Sequence, residues 1–372
     1  MSRFNELVEN YKYLQLSSVA CDDDFFWTAA ENYNAIYRVK KEDLSLEYIC
    51  TVPEEEELGI ELYASGVIKA NNKIYLIPGS AKKIAIFDIQ SSSFQYITTD
   101  EMKDDAYPKF GVVSLVHQNI YLLPLEMQAS YILKINTETD TIEKIPFSIN
   151  CDKTERRIDI FFFGCTVSDH IWFGTGQKQM IGMFKTESNE ITFTRISTTQ
   201  SYIYHMVEYE GVIYMLTLAN EVISYDIKTG NENLIWKEEV KEETRYSRIL
   251  WFANCLWLLP FSSDCIVKIR IQGSEKIEYI ELPSNLKQWK RWGVYGRKYY
   301  EYYFEKNKLC ILPDNTNKVL KIQSTNNTIE QYELSSDREV NLCDKFHKNE
   351  LSRLHYEDDL PYLIELLTYK GE

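Results

Sequence analysis

A short apolar segment recurs along this chain: FFWTA, IYLIP, IYLLP, IWFGT, IYMLT, LWLLP and LCILP. The aligned positions are Trp27, Tyr75, Tyr121, Trp172, Tyr214, Trp257 and Cys310, aromatic in all but the last copy. They recur with a period of about 47 residues, in the range of one compact supersecondary unit. Such a unit cannot bury its apolar face alone, so the copies must stack on one another around or along an axis. No other feature of the chain constrains its fold as strongly.

Each copy has the same neighbours. Another strand precedes it, at 66–71, 111–116, 160–167, 205–209, 248–252 and 300–305, with 13–20 taking that place in the first unit. A tight polar turn joins the two (NNK, HQN, SDH, EG, AN, KNK), so the pair reads as a hairpin; CDDD lengthens the turn of the first unit. A third strand follows: AIYRVK, IAIFDI, YILKIN, MIGMFK, VISYDI, IVKIRI and VLKIQ. After a turn rich in Ser, Thr, Asn and Gly comes a fourth, whose alternation of apolar and polar residues fits an outer strand with one wet face. The last unit ends on its own fourth strand at 329–334, so seven whole units are expected, with no strand exchanged between the first and the last.

Four antiparallel strands repeated about an axis predict an all-β fold, a seven-bladed β-propeller over 13–334, followed by a short helical tail over 335–372. The heavy aromatic content, 27 Tyr, 17 Phe and 7 Trp, suits pleated faces packed together. The chain resembles the β-propeller superfamily, kelch-like and related, in a divergent form seen among bacterial propellers of unassigned role. It lacks the paired Gly of kelch units and the GH and WD signatures of WD repeats. The resemblance therefore implies a fold and carries over no functional residues. In the tail, YEDDLPYLIELLTY reads as a helix capped by Asp358 or Asp359, with Pro361 in its first turn. Leu360, Leu363, Ile364 and Leu367 share one face, for docking on the ring or for a partner.

Charge narrows the partners. With 41 basic and 56 acidic residues, the net charge of −15 disfavours nucleic acid and anionic membranes. The apolar runs are too short to span a bilayer, and the first eighteen residues lack the apolar core of a signal peptide. Eight Cys without a CxxC spacing read as free thiols in a reducing cytoplasm. There is no Gly-rich phosphate loop and no nucleophile elbow. The five His (117, 170, 205, 347 and 355) do not group, so neither a zinc site nor a cofactor is expected. The run Asp22, Asp23, Asp24 reads as a solvated turn in preference to a cation site.

Function is expected at the channel mouth where, as the resemblance implies, interblade loops and the loops between second and third strands share a face. Lys109, Arg157, Tyr204, His205 and Arg248 enter first strands there, and the long segment before the last unit adds Trp289, Trp292 and Arg297. Guanidinium groups fork onto anions and aromatic faces stack on sugars, so the mouth suits an anionic or carbohydrate ligand or a protein partner. This points to a non-enzymatic binding or scaffold protein. The alternative is a lyase- or hydrolase-type enzyme with His205 as base and Glu31, Glu126 or Asp264 as its acid partner.

Overall fold

The computed structural model describes residues 16–31, 33–56, 62–98, 110–125, 131–147, 162–239, 245–272, 276–286, 301–312 and 318–334. Seven sheets of four consecutive antiparallel strands account for them, one sheet for each repeat of the sequence. Blades 1 to 7 span 16–50, 66–97, 110–146, 162–195, 203–237, 246–281 and 301–333. The chain is a seven-bladed β-propeller, and its first and last sheets are built from their own strands without exchange. The tail expected to be helical lies outside the described residues.

The first strands are Leu16–Cys21, Gly66–Ala70, Phe110–Val116, Phe162–Val167, Ile203–Tyr209, Tyr246–Phe252 and Glu301–Glu305. They pack on one another between neighbouring blades, which makes them the inner strands. Those of blades 5 and 6 begin two residues earlier than the alternation predicts. In each, a bulge makes the strand register skip Tyr204 or Ser247, and the extra residue breaks the period-two pattern.

Turn chemistry explains the hairpins. Glu210 and Gly211, then Ala253 and Asn254, both carry the positive φ pairs that two-residue hairpin turns require. The second turns repeat another device. Asp140, Asn189, Gly230 and Asn327 have positive φ, and their N–H groups donate to the carbonyl four residues back. Asn136 and Asp226 open such turns by accepting two backbone N–H groups each through Oδ1.

The core is divided among the seams between blades. One apolar cluster fills each of the seven, including the closing seam, where Phe26, Val39 and Leu44 of blade 1 meet Tyr303, Cys310 and Val319 of blade 7. The repeated aromatic also works across seams. Tyr75 of blade 2 donates to Asp140 Oδ1 (2.6 Å) and to the Thr137 carbonyl (3.2 Å) in the second turn of blade 3. Blade 7 has Cys310 at this position, opposite Lys321 on its third strand. Lys321, 5% exposed, donates to both Glu305 oxygens (2.9 Å) and across the closing seam to the Lys41 carbonyl (3.1 Å). Lys268 of blade 6 acts alike: it lies over the Trp257 ring and donates to Ser324 O (2.7 Å) and Asn327 Oδ1 (2.9 Å) of blade 7.

Candidate functional site

Seven residues occupy one level of the ring. Each lies two positions before the residue that pairs with the repeated aromatic, or with Cys310 in blade 7. They are Ser18, Gly66, Val112, Phe163, His205, Arg248 and Glu301. At this level each blade meets the next. Ser18 Oγ accepts the Val67 N–H, and a Cβ on Gly66 would touch Val113 at 3.4 Å. Val112 packs against Gly164, where any Cβ would collide with the Trp172 carbonyl. Small residues therefore join blades 1 to 4.

From blade 4 onward the same level becomes large and polar. The Phe163 ring lies 5.6 Å from that of His205, and the Arg248 guanidinium sits over Phe163 at 4.8 Å. Arg248 Nη1 is 3.3 Å from His205 Nε2, and Nη2 donates to Glu301 Oε1 at 2.8 Å. Tyr204, the bulged residue, turns its ring edge-on to Phe163 at 5.8 Å. His205, Arg248 and Glu301 are 5%, 9% and 8% exposed, so Arg248 is an interior cation and not a rim charge. The Arg248–Glu301 pair joins the inner strands of blades 6 and 7.

This geometry sets the state of His205. Arginine can only donate, so Nε2 must accept and the ring proton sits on Nδ1. Nδ1 is buried without a hydrogen-bond partner among the described residues. Burial first, and then the Arg248 charge, push the imidazole well below its ordinary value of 6.5, so it stays neutral. The cluster as a whole is nearly charge-balanced, one guanidinium against one carboxylate.

Of the residues expected at the mouth, the structure brings together Tyr204, His205 and Arg248. Lys109, Arg157, Trp289, Trp292 and Arg297 lie outside the described residues. So does Glu126, one of the three acids considered as partners. Sequence reasoning missed Phe163 and Glu301, which alignment on the residue facing the repeated aromatic would have found. His117 Nε2 donates to Asp169 Oδ1 between blades 3 and 4, in the first-hairpin turns. Asp22 is occupied by its own turn: it accepts the Asp24 and Phe25 N–H groups and the Trp27 indole, with Lys69 at 3.6 Å. Burial opposes its charge, but these partners prevail and hold the carboxyl below its usual range.

No family model matches the chain, and no curated protein matches it. Solved structures do. A catalytically inactive virginiamycin B lyase from Staphylococcus aureus, determined with quinupristin, is 15% identical over 87% of this chain and 96% of that one, with a TM-score of 0.62. PorZ of Porphyromonas gingivalis is 9% identical over 87% of this chain and 39% of that one, at 0.58. BamB from Moraxella catarrhalis is 10% identical over 80% and 82%, at 0.50. At these identities the likeness is one of fold, and it defines the chain as a β-propeller.

Proposed function

We propose that this chain is a non-enzymatic binding or scaffold propeller that meets its ligand or protein partner at the interblade-loop end of the channel, beside Tyr204, His205 and Arg248. One observation carries the reading: the His205 lone pair is already taken by an Arg248 N–H. A general base needs a free lone pair, and arginine does not give up its proton at ordinary pH. The cluster is built to hold position. PorZ, described as an essential bacterial surface component of the type-IX secretion system, shares the propeller fold over 39% of its chain. We also infer a reducing, cytoplasmic setting, supported by six described cysteines that are all free thiols.

The likeness in fold to virginiamycin B lyase favours a second reading, a lyase- or hydrolase-type enzyme. An anionic substrate that drew Arg248 away would release Nε2 of His205 to act as a base. Titration calorimetry with acidic glycans, sugar nucleotides and acidic peptides, at low and physiological salt, tests the first reading, alongside partner capture on the full chain. Binding without turnover supports it. Product detected by mass spectrometry with the wild type, and lost in a folded His205→Gln variant, establishes the enzyme instead.

A further inference from the structure

The end of the ring opposite the proposed mouth carries aromatic side chains that the core does not cover. Tyr209 of blade 5, Trp251 and Phe252 of blade 6 and Phe304 of blade 7 all stand on inner strands, within two residues of the first-hairpin turns. Tyr209 stacks on Trp251, with centroids 3.9 Å apart and planes 17° from parallel. Phe252 points to the other side of its strand and stacks on Phe304 at 4.8 Å and 14°. Two fixed stacks thus cross three blades. Phe304 is 40% exposed and the other three rings are half-buried. An aromatic strip left open in this way marks an interaction surface.

The turns around the strip are acidic. The described turns at this end hold ten carboxylates against three lysines, Lys41, Lys228 and Lys306. Asp23, Asp24, Glu138, Glu187 and Glu210 are exposed among them. Glu210 lies beside the strip itself: it accepts a hydrogen bond from the Tyr209 hydroxyl and so pushes that phenol above its ordinary value.

We propose that this end of the ring docks an arginine-rich segment of a partner protein. Arginine suits both halves of the surface, because a guanidinium stacks on aromatic rings and also forks onto carboxylates. Lysine meets the carboxylates only as a point charge. The chain uses the same combination within itself, where Arg38 lies over the rings of Phe25 and Trp27, at 4.6 and 5.3 Å, and donates to Glu47. The stacks hold the rings in place before a partner arrives, which limits the entropy lost on docking. Nucleic acid and acidic segments are repelled by the turns. The surface is separate from the His205–Arg248 cluster and does not depend on the reading of the mouth.

The test follows three labelled peptides, GRLGRLGRLGRL, GKLGKLGKLGKL and GELGELGELGEL, by fluorescence anisotropy with the full chain. The arginine peptide binds about fivefold tighter than the lysine peptide, the scale of one cation–π contact, and the glutamate peptide does not bind. Phe304→Leu weakens the arginine peptide about fivefold, to the level of the lysine peptide. Tyr279→Ala, at an aromatic 54% exposed on the outer strand of blade 6, leaves it unchanged. Should Phe304→Leu not fold, Glu210→Lys in its exposed turn takes its place and also weakens binding. The proposal is overturned if the folded wild type does not bind the arginine peptide or binds the lysine peptide equally well. It is also overturned if binding survives Phe304→Leu or its substitute unchanged, or if Tyr279→Ala weakens it as much.

Discussion

Arg248 donates through Nη2 to Oε1 of Glu301 at 2.8 Å, and in doing so ties the inner strand of blade 6 to that of blade 7. Both side chains are buried, so neither tolerates losing the other. Arg248→Met should destabilise the ring by roughly 3–5 kcal/mol, because buried Glu301 loses its guanidinium partner. The double variant Arg248→Met with Glu301→Leu should recover most of that loss. Urea unfolding reads both. A cost for the single variant below about 1 kcal/mol would show that water reaches the pair.

His205 gives the fold a pH dependence of known sign. In the unfolded chain it takes up a proton near 6.5, whereas in the ring its pKa lies well below that. The unfolded state therefore binds more protons as the pH drops, and the stabilisation present above 6.5 is lost on acidification. The urea midpoint should fall between about pH 7 and 5.5, above the range where most carboxylates titrate. His205→Gln should flatten the curve in that window. An identical slope in wild type and variant would place the pH dependence elsewhere.

Lys321 seals the closing seam through Glu305 and the Lys41 carbonyl. Lys321→Met should cost roughly 1–3 kcal/mol through the bonds it leaves unmade. Hydrogen exchange should rise first in blades 1 and 7, with blades 3 to 5 protected as before. A uniform rise round the ring would mean that the seam carries no special share.

Two glycines should fail for different reasons. A Cβ on Gly182 would lie 2.2 Å from the buried Phe173 ring, so Gly182→Ala should cost about 1–3 kcal/mol, with partial rescue by Phe173→Leu. Gly211 has open space around it but a φ of +80°, so Gly211→Ala should cost only about 1–2 kcal/mol, through backbone strain. Thermal unfolding of the two variants separates crowding from strain, since Phe173→Leu should rescue only the first.

Every described blade has its four strands, so removing 335–372 should leave cooperative unfolding intact. A broad, non-cooperative transition in the shortened protein would show that the tail braces the ring.

The blades were legible because local rules write them. Alternation, two-residue turns and the recurring aromatic all act within one unit of sequence. The seams were less legible. Lys268 and Lys321 stand in the sequence as ordinary polar residues of a third strand, yet each is buried because the next blade's turn supplies its acceptors. Cys310 was visible as the one copy without an aromatic ring, and it faces Lys321 as Trp257 faces Lys268. At the candidate site, His205 and Arg248 stood out as cations or potential cations near strand starts. Glu301 did not, since what selects it is its level beside a residue of the neighbouring blade 53 positions away.

The closing seam also fixes an order of events. Lys41 and Lys321 are 280 residues apart, against 56 for Lys268 and Ser324 at the preceding seam. Each doubling of a loop adds about 0.6 kcal/mol of closure entropy, so the last seam costs only about 1.4 kcal/mol more than the others. Its two ends meet only when the chain between them is bent into an arc, so the seam is expected to form after the other six. Until then the arc carries two complementary apolar ends, Phe26 and Val39 on one and Cys310 and Val319 on the other. Those ends fit a neighbouring molecule as well as they fit each other, in a head-to-tail contact that does not close on itself. Protein concentration during refolding should thus decide between closed rings and chains of open arcs: dilute protein should close on itself and crowded protein should polymerise.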